Sequence, residues 1–348
     1  MNRARWVVPV AVAVVALVAT VLLLRREVPR VTPAAAPGAP DAGASAPAAA
    51  SARDAARTTR RTVALEGRWG SGPGEFGRSG AADGNLEVPM SLDVSRQDTL
   101  VLDQLNGRVQ RFSGGRVKGS FPAGKAAQDV VALPGGGAAV LDRLGAATLT
   151  LLSEDGKVGA TIALVGGPIR EGGQVTGVFA DAEGVYVERE HRDVVRLADG
   201  AGRPDRARPT LWGRPTRDGK HLVRAAIADR PAGTLTVSVA SRNSGAMDFA
   251  TTVTLDGPIL HLVLLGSDRH GRIYVAGAIG RPGSEGVADE RVAAVRLERD
   301  GSVSGRLALP ALPEADEIFR PLTVDDDGAI HELLTGPAGL SVVRFEFP

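Results

Sequence analysis

The stretch Leu92-Asp93-Val94, a turn through Asp98, Leu100-Val101-Leu102 and then Arg108-Val109-Gln110-Arg111-Phe112 holds the reading of the fold. It is three short apolar runs separated by turn residues, the signature of consecutive antiparallel strands. The unit recurs. Val131-Ala132-Leu133 turns through Gly135-Gly136-Gly137 into Ala139-Val140-Leu141, and Val178-Phe179-Ala180 turns through Asp181 to Gly184 into Val185-Tyr186-Val187. Ala226-Ile227-Ala228 turns through Asp229 to Gly233 into Leu235-Thr236-Val237. Leu264-Leu265 turns through Asp268 to Gly271 into Ile273-Tyr274-Val275, and Leu322-Thr323-Val324 turns through Asp325 to Gly328 into Ile330-His331-Glu332. Asp bonds nearby backbone in such turns, and Gly supplies positive φ without steric cost.

Six copies about 40–60 residues apart predict an all-β fold, a six-bladed β-propeller with four-stranded blades. In the first three copies a third strand aligns without gaps, from Leu100 to Phe112, Ala139 to Leu151 and Val185 to Leu197. Fourth strands follow in several, such as Thr161-Ile162-Ala163-Leu164 and Gly305 to Leu309. The last copy ends at its third strand, Ser341 to Phe347, whereas Val63 to Trp69 is a spare strand ahead of the first. Pairing the two, strand 63–69 with the C-terminal blade, would close the ring and remove an exposed sheet edge.

The first unit also resembles a known family. Gly67-Arg68-Trp69-Gly70, the glycine-rich run through Gly77, Val88-Pro89, Leu92-Asp93-Val94, Leu100-Val101-Leu102-Asp103, Asn106 and Arg108 to Phe112 look like an NHL repeat. The match covers about 50 residues, and the later units share only the strand–turn–strand pattern. The resemblance implies a six-bladed propeller. Such propellers serve as binding platforms and as enzymes, so it implies no single function.

The N-terminal region is different. Trp6 to Leu24 is an apolar run between Arg3/Arg5 and Arg25/Arg26, long enough for a membrane-crossing helix of roughly 20 residues. It exceeds the ~7–15 apolar residues of a cleaved signal, and no small-residue cleavage site directly follows it. The organisation read from the sequence is therefore a short tail (1–5), a signal-anchor helix (6–24), an Ala/Pro-rich disordered linker (25–61) and the propeller (62–348). Both flanks of the span are basic, so charge alone does not orient it. A five-residue tail ahead of a long domain favours placing the propeller on the extracytoplasmic side, periplasmic or cell-surface.

Nine of the 41 basic and three of the 40 acidic residues lie in 1–61, which leaves 32 against 37 for the propeller. A mildly acidic domain with two Tyr and three Trp in the whole chain lacks the footprint of a nucleic-acid binder. With no cysteine, disulfides, thiolate metal sites and cysteine nucleophiles are excluded. Gly119 to Lys125 has phosphate-loop spacing, but Ala126 replaces the required Ser or Thr and no helix is predicted to follow. The five histidines show no paired metal-ligand spacing, and no G-x-S-x-G turn is present.

Two columns of residues are candidates for a ligand site. Asp103, Asp142 and Glu188 superimpose at the end of the second strand, where an acidic arc could hold a cation or polar ligand. Alternatively each carboxylate accepts N–H bonds from its own turn. Met90, Asp129, Thr176, Arg224, Val263 and Arg320 align near the start of each innermost strand, at the channel mouth. Asp129, Arg224 and Arg320 there could hold an anionic ligand, or form salt bridges that close the channel. The arginine-rich segment Ala198 to Lys220 is either a partner site or a solvated connector.

These features favour a non-catalytic module that presents one face to a protein or envelope glycan, without a cofactor. The alternative is a metal-dependent hydrolase or lyase. The gluconolactonase-like six-bladed propellers, a resemblance at the level of architecture, imply carboxylates and an Asn around a central divalent cation. Only Asp129 clearly enters the predicted channel mouth here, and hard cations need several oxygen ligands.

Overall fold

A computed structural model describes residues 60–80, 86–95, 98–283, 286–311 and 318–348. The expected span 6–24 and nearly all of the expected linker lie outside them. No helix among the described residues is long and apolar enough to cross a membrane.

The strands form six four-stranded antiparallel sheets. After β1 (Arg60–Arg68) and a short hairpin, β2 (Ser79–Gly80) with β3 (Leu86–Glu87), blade one runs outward through β4 (Ser91–Ser95), β5 (Asp98–Asp103), β6 (Arg108–Ser113) and β7 (Arg116–Pro122). Blade two is β8 (Asp129–Ala132), β9 (Ala138–Asp142), β10 (Thr148–Leu152) and β11 (Val158–Ala163). Blade three is β12 (Val175–Asp181), β13 (Gly184–Arg189), β14 (Asp193–Asp199) and β15 (Thr210–Leu211). Blade four is β16 (Arg214–Pro215), β17 (His221–Asp229), β18 (Thr234–Ser241) and β19 (Met247–Thr254). Blade five is β20 (Ile259–Ser267), β21 (Ile273–Gly283), β22 (Gly286–Leu297) and β23 (Val303–Leu309). Blade six is β24 (Leu322–Val324), β25 (Ile330–Gly336), β26 (Gly339–Glu346) and, outermost, β1.

Ring closure follows the expected pairing, with the strand starting three residues earlier. β1 lies antiparallel to β26, from Arg60 opposite Glu346 to Arg68 opposite Gly339. Trp69 Nε1 adds a bond to the Gly336 carbonyl at 2.9 Å. The turns use the chemistry read from the sequence. Asp268 Oδ1 accepts from the backbone of His270 and Arg272 at 2.8 and 3.0 Å, and Asp325 Oδ1 from Asp327 and Ala329 at 2.9 Å each. Gly328 in the last turn has φ +91°, and a Cβ there would lie 1.9 Å from the Tyr274 hydroxyl oxygen. Only glycine meets both conditions.

Blade four departs from the sequence reading. The hairpin Ala226-Ile227-Ala228/Leu235-Thr236-Val237 was expected to hold strands one and two. It holds strands two and three, because Arg214 and Pro215 pair with Val223 and Leu222 on its axial side. The physical reason is that a two-residue strand has no periodicity, and both hairpins of a blade show the same alternation.

Apolar clusters fill five of the six interfaces between neighbouring blades, such as Leu65, Phe76, Val101 and Leu333 between six and one. Among the described residues none bridges blades three and four. That seam is polar: Tyr186 donates to Asp181 at 3.1 Å, Arg242 contacts both, and Arg196 pairs with Asp205 at 2.7 Å. Burial pushes the Tyr186 hydroxyl up to about 12, so it remains a donor.

One ionisable group is out of place in a core. Glu332 is 0% exposed, opposite Leu322 and Val343 of the cluster between blades five and six, and neither carboxylate oxygen has a partner among the described residues. Burial raises its carboxyl to about 8, with Arg61 pulling weakly the other way. The folded-state value lies above the unfolded one, so the folded chain holds the extra proton between about pH 4.5 and 8. Stability contributed by this group therefore falls as pH rises through that window. Glu332→Met is expected to raise stability by on the order of 4 kcal/mol at pH 7.5, at about 1.36 kcal/mol per unit, and by little at pH 4.5. Urea denaturation at the two pH values checks this; a gain independent of pH would contradict the assignment.

Candidate site in the central channel

A cavity of about 920 Å³ runs along the propeller axis, and two arginines cross it. Arg320, just ahead of β24, reaches from blade six to Asp129 of blade two at 2.5 Å and to the Val178 carbonyl of blade three at 2.6 Å. Asp129 is fully buried. Its carboxylate also accepts from Ser91 Oγ at 2.6 Å and from the backbone of Val130 and Val178 at 2.9 Å each. Burial pushes this carboxyl above the usual carboxylate range, and Arg320 opposes the shift. Arg217, in the turn after β16, reaches across to blades one and six. It bonds Asp326 and the Val94 carbonyl at 2.9 Å each, and also the Val324 carbonyl.

Arg214 binds Glu188 through both carboxylate oxygens, at 2.6 and 2.9 Å. Thr176 donates to Glu188 at 3.0 Å and the His191 ring lies 3.3 Å away. Burial alone would raise the Glu188 carboxyl, but Arg214 and then His191 bring it down to about 2. Both guanidinium groups lie over the Phe179 ring, that of Arg214 at 4.6 Å and that of Arg320 at 5.1 Å. Such cation–π contacts fix the planes of both arginines.

The two predicted columns separate. Asp103 is buried and bound by Gly77 N at 2.8 Å and by Asn106 and Arg108 at 2.9 Å, so it anchors the glycine-rich loop. Asp142 accepts from Gly145 and Ala146 in its own turn. Only Glu188 of that column lines the cavity. In the second column Asp129 and Arg320 meet as a salt bridge. Arg224 lines the cavity, but from the second strand of blade four, and the axial place falls to Arg214. The guanidinium of Arg224 stacks over Trp212 at 5.1 Å and makes no ion pair among the described residues.

The arginine-rich connector is mostly engaged internally. Arg203 pairs with Asp199, Arg208 bonds the carbonyls of Ala163, Leu164 and Gly166, and Arg214 and Arg217 serve the channel. The sequence singled out this segment but not the two positions in it that reach the axis. Phe179 and Arg230 were missed as well, since nothing local marks either as axial. No group of three His, Asp or Glu side chains able to hold a metal ion occurs among the described residues. Asp129 and Glu188 already give their oxygens to arginine.

The fold and its axial channel are those of a six-bladed β-propeller. Among solved structures the chain is similar to a member of the DUF4221 family from Bacteroides vulgatus, with TM-score 0.50, 8% identity and coverage of 83% of this chain and 98% of that one. A gluconolactonase from Xanthomonas campestris matches with TM-score 0.40 at 12% identity, over 83% and 90% of the two chains. BamB from Moraxella catarrhalis matches with TM-score 0.39 at 12% identity, over 82% and 97%. Likeness at these identities concerns the fold alone. No family model and no curated protein matches the chain.

Proposed function

We propose that this chain is a membrane-tethered, NHL-like propeller that binds an anionic ligand in its channel without transforming it. The observation that carries the reading is Arg224. It lines the cavity and makes no ion pair among the described residues, whereas Arg214, Arg217 and Arg320 are bound to carboxylates. A planar guanidinium held against an indole is suited to a carboxylate. The saturated Asp129 and Glu188 leave little oxygen for a catalytic cation, which weighs against the hydrolase reading. Trp6 to Leu24 would hold the domain at the membrane on its extracytoplasmic side. Retention of the full chain in carbonate-washed membranes tests that part, and its release with an intact N-terminus would contradict it.

Binding of two carboxylate probes, a glutamate-containing peptide and a uronic-acid oligosaccharide, to the full chain in detergent tests the site. Arg224→Ala is expected to weaken binding of the recognised probe by about 1.5–3 kcal/mol, the scale of a charged hydrogen bond. The melting temperature should hardly change. Affinities of the variant equal to those of the unaltered chain would remove Arg224 from the site.

A further inference from the structure

Blade four lacks most of its axial strand. β16 pairs with β17 only at Leu222 and Val223, so among the described residues no strand pairs with the axial edge of β17 from Arg224 to Asp229. A Cβ on Gly213 would lie 2.5 Å from the Val223 carbonyl oxygen. The residues that precede it leave the axis, and Thr210 and Leu211 pair with β14 of blade three.

The orientation of the free edge follows from one bond. The His221 carbonyl accepts from Thr216 N at 3.0 Å, on the axial side. Alternation along β17 then turns the backbone groups of Ala225 and Ile227 to the same side, where no strand of the described residues opposes them. Ala225, Ala226 and Ile227 line the cavity, as do Leu262 and Leu265 of β20 in blade five. The edge is six residues long, about 20 Å at roughly 3.3 Å per residue.

Charge indicates what would lie there. Arg224 and Arg230 both line this part of the cavity, and neither makes an ion pair among the described residues. Arg230 spends its donors on the carbonyls of Ile259 and Leu260. A strand edge with apolar walls and two uncompensated cations suits an extended polypeptide carrying an acidic side chain. Main-chain bonds would give the affinity, and the arginines the choice of side chain.

We propose that a partner's extended segment completes blade four, adding as an antiparallel strand along the axial edge of β17 with a carboxylate against Arg224. The proposal rests on the anionic reading of the channel and names the class of ligand. It is tested on the full chain in detergent with a capped octapeptide of alternating valine and threonine bearing one glutamate. Its counterpart N-methylated at alternate peptide bonds along the pairing edge and the uronic-acid oligosaccharide serve as comparisons.

The expected result is that the plain octapeptide binds and N-methylation weakens it at least tenfold. Amide exchange at Ala225 and Ile227 should also slow in its presence. Equal binding of the methylated peptide, or unchanged exchange at both amides, would overturn strand addition. Arg224-dependent binding of the oligosaccharide with no binding of either peptide would overturn it too, yet leave the anionic site standing. Failure of all three probes to bind would count against both.

Discussion

Arg320→Ala is expected to destabilise the propeller by about 3–5 kcal/mol, the usual cost of removing one partner from a buried ion pair. The cause is the residue left behind. Asp129 is fully buried, and Arg320 is the cation that meets its carboxylate. Without the guanidinium, Ser91 and two backbone N–H groups remain, and the carboxyl must either stay charged in a poor medium or take up a proton. Arg320 also joins blade six to blade three through the Val178 carbonyl, so one substitution loosens three blades. Guanidinium denaturation of the single variant and of Arg320→Met with Asp129→Leu checks this. The double variant should recover much of the loss, because a buried pair replaced by apolar residues is often neutral or better. A loss below about 1.5 kcal/mol in the alanine variant would mean that water reaches Asp129 and that the pair does not behave as a buried one.

Loss of β1 should cost more. A chain that begins at Arg60 keeps β1 and its pairing with β26, and is expected to melt at the temperature of the full chain. Truncation to begin at Ser71 removes the outer strand of blade six. The edge of β26 from Gly339 to Glu346 loses its partner, and Leu65 leaves the cluster that joins blades six and one. The Trp69 bond to Gly336 is lost as well. The expected penalty is several kcal/mol, a large share of the roughly 5–15 that hold a domain folded. An unpaired strand edge also promotes aggregation. Thermal melts and light scattering of the two truncations compare the outcomes directly, and equal melting temperatures would contradict the role of β1 in closing the ring.

The parts of this fold that were legible in the sequence are those governed by local rules. Alternation in Leu100-Val101-Leu102 and its five counterparts, with Asp or Gly in the following turn, reflects a period-two pleat and positive-φ geometry. Closure was legible because the last copy lacks its outer strand and one spare strand precedes the first. Blade four is not legible in this way, because its innermost strand is two residues long and its next two strands look like any hairpin. The column Asp103, Asp142 and Glu188 aligned perfectly, yet its members do three different things. What each carboxylate does depends on which donors the neighbouring chain brings: Gly77, Asn106 and Arg108 to the first, the backbone of its own turn to the second, Arg214 to the third.

The amino-acid order alone settled strand, turn and blade number, because these depend on neighbours within a few residues and on a repeat that can be counted. It also set the charge of the domain and the membrane-length apolar run at Trp6 to Leu24. Which of Arg214, Arg217, Arg224, Arg230 and Arg320 are neutralised, and which face the cavity with charge to spare, was decided by tertiary structure. Arg320 and Asp129 are 191 positions apart in the chain and meet at 2.5 Å because the blades direct both to one axis. The strength of a charge depends on its distance from its counterpart and on the water around it, and both are properties of the closed ring.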